Sequence, residues 1–295
     1  MLNNLLEKLM RKTGILKNLI FRRKINIKGK KINIPVILEL SCQLSETWMI
    51  ELLEKILPEK EGVFLDIGVN LGQTLIKVKS IEPTRKYIGF EPNSVCVFYV
   101  KHLIKNNQFE NCTLLPVGLF TEDSILSLES INDSEVDAAA SIIKNFRPNQ
   151  IIRHQTFVPV FCFENIANIL DIDKIGIVKI DVEGAELEVI KSLQVVIHHD
   201  RPIFILEVLP VYSNENKARK ERQEELERIF NLASYSFFRV SKTREGNFIN
   251  CKPIDSIGIH SDLNQCDYLV VPSEFTGKMQ GVLQEAVAER LLATL

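Results

Sequence analysis

No apolar run in this 295-residue chain approaches the roughly 18 residues that a membrane-spanning helix needs. The start, MLNNLLEKLMRKTGILKNLI, has no uninterrupted apolar stretch ending in a small-residue cleavage site. The expectation is a cytoplasmic protein, neither exported by a signal peptide nor transmembrane. The six cysteines (Cys42, Cys96, Cys112, Cys162, Cys251, Cys266) form no C-x-x-C pair, so they read as reduced thiols rather than a disulfide framework. His198 and His199 are adjacent and have no cysteine nearby, so no metal site is expected. Repeats and low-complexity segments are missing too.

Charge of one sign is also lacking overall, with 36 basic against 38 acidic side chains and a net charge of −2, which argues against a nucleic-acid partner. The balance is uneven along the chain. The first 31 residues hold ten Lys or Arg and one acid, so an acidic body follows a basic leader. Leu2, Leu5, Leu6, Leu9 and Met10, then Ile15, Leu16, Leu19 and Ile20, recur at helical spacing. This amphipathic stripe packs on the protein's own core or a second subunit, or lies on an anionic membrane surface; peripheral membrane contact or self-association through residues 1–31 is the resulting expectation.

What is present is an ordinary globular composition, 45% hydrophobic and 25% charged, long enough for a self-sufficient core. Residues 24–37 alternate Ile with polar residues around Lys28-Gly29-Lys30 and predict a hairpin. A helix follows over 45–57, ended by Pro58. Strands are then predicted at 63–67, 87–90, 112–115, 175–180 and 203–208, alternating with helices at 71–81, 94–107, 185–193 and 216–232. Near-continuously apolar strands alternating with helices indicate an α/β fold with a parallel sheet covered on both faces. Two further strands, 236–240 and 267–271, close it as an antiparallel edge pair. The reading divides the chain into an N-terminal extension, 1–60, a main domain, 61–275, and a C-terminal helix, 276–295. An insertion over about 129–157 breaks the alternation, as a lid or substrate wall or as a surface helical hairpin.

Three strand ends carry candidate chemistry. Asp66-Ile67-Gly68-Val69-Asn70-Leu71-Gly72 is a ligand-cradling loop, its glycines and Asn70 suited to left-handed backbone. It is neither G-x-G-x-x-G nor a P-loop, which disfavours a nicotinamide-dependent reductase. Nineteen residues past Gly72, Glu91 heads Glu91-Pro92-Asn93, where α/β nucleoside binders hold ribose hydroxyls. Lys179-Ile180-Asp181-Val182-Glu183-Gly184-Ala185-Glu186 is the third. Asp181 and Glu183 are candidate general bases, Glu207 ends the next strand as a substrate contact, and Glu186 favours a helix N-terminus. His154, in a basic patch of the insertion, is a further candidate substrate contact.

These residues resemble the FkbM-type S-adenosylmethionine-dependent methyltransferases. The resemblance is carried by DIGVNLG at 66–72, FEPN at 90–93, PVGLFTED at 116–123, VKIDVEGAELEVI at 178–190, RPIFILEV at 201–208 and CDYLVVP at 266–272. It implies a Rossmann-like class I methyltransferase sheet, with seven mostly parallel strands and an antiparallel edge strand. It further implies S-adenosyl-L-methionine as cofactor, with Asp66, Gly68, Val69, Asn70 and Gly72 lining its loop and Glu91, Pro92 and Asn93 at its ribose. The implied activity is O-methylation of a small-molecule or glycan acceptor: a sugar, glycolipid or other secondary-metabolite hydroxyl. One departure stands out: where the family carries Leu-Asp, this chain has Phe161-Cys162-Phe163-Glu164. The competing reading is a non-catalytic nucleoside-binding or scaffold protein of the same fold.

Overall fold

The computed structural model describes residues 20–147, 149–243, 245–281 and 283. The expected helix over 1–19 lies outside them, as does the C-terminal helix past 283; residues 276–281 are helical. Strands β1 (Ile20–Ile27) and β2 (Lys30–Ile37) form the expected hairpin. Lys28 and Gly29 both take positive φ, 50° and 82°, as a two-residue turn matched to strand twist requires. Asn26 Oδ1 accepts the Gly29 N–H at 2.8 Å.

Helix α1 (Trp48–Ile56) buries Trp48, Met49, Leu52, Leu53 and Ile56. Hairpin and α1 share one core with α2 (Gln73–Ile81) and α3 (Ser94–Asn107), through Ile34, Trp48, Leu75, Tyr99 and Leu103. Tyr99 pins the connection: its hydroxyl donates to Pro35 O at 2.8 Å and accepts the Cys42 N–H at 2.7 Å. This buried anchor fixes the start of the 41–47 segment, which carries Ser45 and Glu46 toward the site.

The main sheet has eight strands in the order β12-β11-β13-β10-β9-β3-β4-β5. Parallel β3 (Val63–Ile67), β4 (Tyr87–Phe90), β5 (Cys112–Leu115), β9 (Ile175–Ile180) and β10 (Ile203–Glu207) lie where the apolar runs predict them. The sheet is α/β and Rossmann-like as expected, with one refinement. Antiparallel β13 (Asp267–Pro272) is inserted between β10 and β11 (Tyr235–Lys242), and the edge belongs to an eighth strand, β12 (Phe248–Ile254). That strand is half exposed and contains Pro253, so it carries no alternation signal; proline is tolerated at an edge, where a ladder donor can be spared.

Successive strand residues point to opposite faces. Phe64, Ile177, Ile203 and Ile205 join the core under α1, α2 and α3. Leu65, Ile67, Val178, Ile180, Phe204 and Leu206 face the other core, with α4 (Phe163–Ala167), α5 (Glu186–Ser192), α6 (Gln194–His199) and α7 (Lys217–Leu232). The predicted insertion is not a helical hairpin. It comprises part of a small sheet, β6 (Gly118–Leu119), β8 (His154–Phe161) and β7 (Ser124–Ser130) in the order β6-β8-β7, with loop segments over 131–147 and 149–153.

Candidate active site

A cavity of about 280 Å³ opens along the carboxyl ends of β4, β3, β9 and β10, the edge where open α/β sheets hold ligands. Ile67, Gly68, Val69 and Asn70 line it from the loop after β3. Gly68 has φ 87°, and a Cβ there would fall 1.9 Å from Asp181 O. Its glycine character therefore lets the loops after β3 and β9 touch. Gly72 does not line the cavity. It precedes α2, and a Cβ would meet Leu103 Cδ2 at 2.8 Å, so its smallness serves the packing of α2 on α3.

Asp66 departs from expectation as well. It has no exposed surface and is absent from the cavity wall. It accepts a hydrogen bond from the Tyr87 hydroxyl and lies 3.7 Å from Lys179 Nζ, while Oδ1 has no hydrogen-bond partner. Burial raises its pKa, partly offset by Lys179. Asp66 supports the loop from beneath.

At the β4 tip, Glu91 lines the cavity with Pro92 and Asn93. Its Oε2 accepts the Asn70 N–H at 2.7 Å and its Oε1 the Asn93 N–H at 2.8 Å. Burial pushes its pKa up to about 7, against the pull of those two amides. Asn93 also caps α3, accepting the Val95 N–H at 2.9 Å, and its Nδ2 donates to Glu135 O at 2.7 Å, tying the insertion to this wall.

Lys179, Asp181, Val182, Glu183 and Ala185 line the β9 side. Lys179 Nζ donates to Asp181 Oδ2 at 3.1 Å and to Gly68 O at 3.2 Å. Burial opposes its charge, but Asp181 and Asp66 prevail and hold its pKa above the ordinary lysine value. A lysine within the apolar run Ile-Gly-Ile-Val-Lys-Ile is a signal that sequence reading can use, because a buried charge needs partners. Glu183 has left-handed backbone, φ 52°. Its carboxylate accepts from Arg147, and its carbonyl accepts from Ser141 Oγ at 2.7 Å. Burial, then Asp181, push its pKa up to about 7. The insertion is thus a wall of the site, adding Asp137, Ala138, Ala140 and Ile142.

Glu207 lines the β10 end, where the charges of Asp181 and Asp267 and its burial raise its pKa. Its carboxylate, with those of Glu46 and Asp267, forms a group whose oxygens lie within 4.8 Å of one another, the arrangement among the described residues that could hold a metal ion. Glu46, Ser45, Gln73 and Thr74 also line the cavity, and none carries a local motif that marks it. His154 is not brought to the site: it is exposed at the start of β8, 3.8 Å from Asp133. Glu186 turns back on its own helix start, accepting the Gly184 N–H at 2.9 Å, and Glu164 is exposed on α4.

No described helix is long and apolar enough to cross a membrane. No curated protein matches the chain. Among solved structures, it resembles an FkbM methyltransferase from Methylobacillus flagellatus at 13% identity and a TM-score of 0.43, covering 72% of this chain and 43% of that one. The chain thus spans less than half the length of that protein. Aeropyrum pernix fibrillarin with bound S-adenosyl-L-methionine matches at 11% identity and a TM-score of 0.41, covering 84% and 81%. A Podospora anserina methyltransferase with SAH bound matches at 8% identity and 0.41, covering 79% of each chain. Residues 66–237, more than half of the sequence and the stretch that supplies the β3, β4, β9 and β10 tips, match the methyltransferase FkbM domain, and the chain belongs to that family.

Proposed function

We propose that this protein is an S-adenosyl-L-methionine-dependent O-methyltransferase acting on a hydroxyl of a sugar, glycolipid or other secondary metabolite. The observation that carries the reading is Glu91. Each of its carboxylate oxygens accepts one backbone N–H, leaving lone pairs beside the cavity at the β4 tip. A ribose diol supplies the two O–H donors that such a carboxylate accepts, so the residues present fit the cofactor. The left-handed Asn70 and glycine-permitted turn at Gly68 bring backbone to the same wall. When bound, S-adenosyl-L-methionine supplies an activated methyl group on a sulfonium.

The chain's own task is then to orient the acceptor hydroxyl and take its proton. Asp181 and Glu183 both line the cavity. Asp181 is tied to Lys179 and through it to Gly68, so it orients and supplies negative charge. Glu183, its pKa raised to about 7, is matched to proton acceptance near neutral pH.

The test is calorimetric titration of S-adenosyl-L-methionine and S-adenosylhomocysteine into wild type and Glu91→Ala. Tight binding that weakens strongly in the variant supports the cofactor assignment. Absence of binding by folded wild type overturns it and favours a scaffold role.

A further inference from the structure

Glu46 lies outside the family-matched segment, yet its side chain helps line the cavity. Two local features hold it there. Its backbone is left-handed, φ 47°, which a residue with a side chain adopts only at a cost. Its carboxylate is 3.5 Å from Nζ of Lys77, a lysine on α2 with no exposed surface. Burying a lysine completely is unfavourable unless an acid compensates it, and among the described residues Glu46 is the ion-pair partner. A strained backbone and a buried cation thus converge on placing one carboxylate in the cavity wall.

What that carboxylate faces is also distinctive. Its oxygens are within 4.8 Å of those of Glu207 and Asp267. Asp267 is paired with Lys242, whereas Glu207 has no hydrogen-bond or ion-pair partner among the described residues. Three carboxylates therefore share two ammonium groups, and the acids around Glu207 raise its pKa, so a cation arriving at the β10 end takes the place of a proton there. Glu91 lies at the tip of β4, three strands away across β3 and β9, or about 14 Å at ordinary strand spacing.

We propose that Glu46 is a specificity-determining residue for the acceptor. With Glu207 it receives a donor-rich acceptor, favouring a protonated amine beside the methylated hydroxyl over a neutral hydroxyl, and rejecting phosphate or carboxylate at that position. An ammonium presents three N–H donors in tetrahedral array, reaching oxygens about 4.6 Å apart at ordinary hydrogen-bond lengths. An anion there meets three carboxyl groups whose two lysines are already engaged. The inference rests on the methyltransferase reading above and names the class of its acceptor.

The test uses full-length protein saturated with S-adenosylhomocysteine and titrated with glucosamine, glucose and glucuronate, which share one ring and differ in charge. Glucosamine is expected to bind about tenfold tighter than glucuronate, with glucose between them. Glu46→Gln should shrink that ratio about tenfold, and so should the double variant Glu46→Gln/Lys77→Met, which leaves no buried lysine without a partner. Unchanged S-adenosylhomocysteine affinity shows that each variant is folded with its cofactor end intact. A flat or reversed order in wild type, an order unaffected by both variants, or no sugar binding overturns the proposal. So does binding that depends on added Mg²⁺ or Ca²⁺, since the carboxylates would then serve a metal. Failure of wild type to bind S-adenosylhomocysteine is separately visible and removes the underlying function as well.

Discussion

The two ends of the cavity are built differently. The β4 end presents Glu91 with two backbone amides already bound to it, all supplied by residues 70–93. The β10 end gathers Glu46, Glu207 and Asp267 from three distant parts of the chain, and two of these fall outside residues 66–237. The difference teaches that the end proposed for the cofactor is encoded in one strand–loop–helix unit, whereas the end proposed for the acceptor is assembled by tertiary contacts. Between the ends lie Asp181 and Glu183, where the proposed function puts the transfer.

The largest effect should come from that middle. Glu183→Gln is expected to lower kcat about 10²- to 10³-fold with S-adenosyl-L-methionine affinity nearly unchanged, measured with any acceptor that turns over. Asp181→Asn should alter both, because it removes one of the two carboxylate charges that hold Lys179 against the Gly68 loop. If the two variants behave alike, the division of labour between base and orienting residue is wrong.

Next in size, Glu91→Ala should weaken S-adenosyl-L-methionine binding about a hundredfold, as expected for two charge-assisted hydrogen bonds lost together. Acceptor affinity measured with S-adenosylhomocysteine saturating should hardly move. A comparable loss at the acceptor would break the distinction between ends.

Legibility followed the same line. Strands β3, β4, β9 and β10 could be read because both faces of each are buried, which forces continuous apolar runs. Glu91 and Asp181 could be placed on the cavity wall because strand tips have a known relation to clefts in open α/β sheets. Asp66 and Gly72 were legible as a motif but not in role: composition cannot separate a residue that touches ligand from one that supports the loop beneath it. Glu46 was invisible, since its placement depends on Tyr99 anchoring Cys42 and on Lys77 buried in another helix. His154 shows the converse, a reactive side chain in a suggestive patch that the β8 register leaves in solvent.

A smaller effect tests whether the insertion, tied to the β4 wall through Asn93 and Glu135, bears mainly on the acceptor end. Gly184 has φ 107°, and a Cβ there would come 2.5 Å from the Phe146 ring, which Arg219 covers on α7. Gly184→Ala should destabilise the protein by about 2 kcal/mol in urea unfolding, through backbone strain and displacement of Phe146. It should raise acceptor KM while S-adenosylhomocysteine affinity holds. If cofactor affinity falls equally, the insertion braces both ends.

The smallest expected effect concerns the pH dependence of folding at the cofactor end. Burial raises Glu91 to about 7 from an ordinary 4.5, so between those values the native state holds a proton that the unfolded chain has released. Apo-protein stability from this group is therefore undiminished below about pH 4.5 and declines as pH rises toward 7, the opposite of a salt-bridged carboxylate. Glu91→Gln removes that titration. Relative to wild type it should gain on the order of 1 kcal/mol between pH 5 and pH 6 in denaturant melts, while binding S-adenosyl-L-methionine less well at pH 8. A carboxylate that costs stability when empty and is satisfied by ligand donors is what a binding role demands. If the stability difference stays flat across that pH range, Glu91 is already fully compensated by the Asn70 and Asn93 amides, and its place at the cavity is structural.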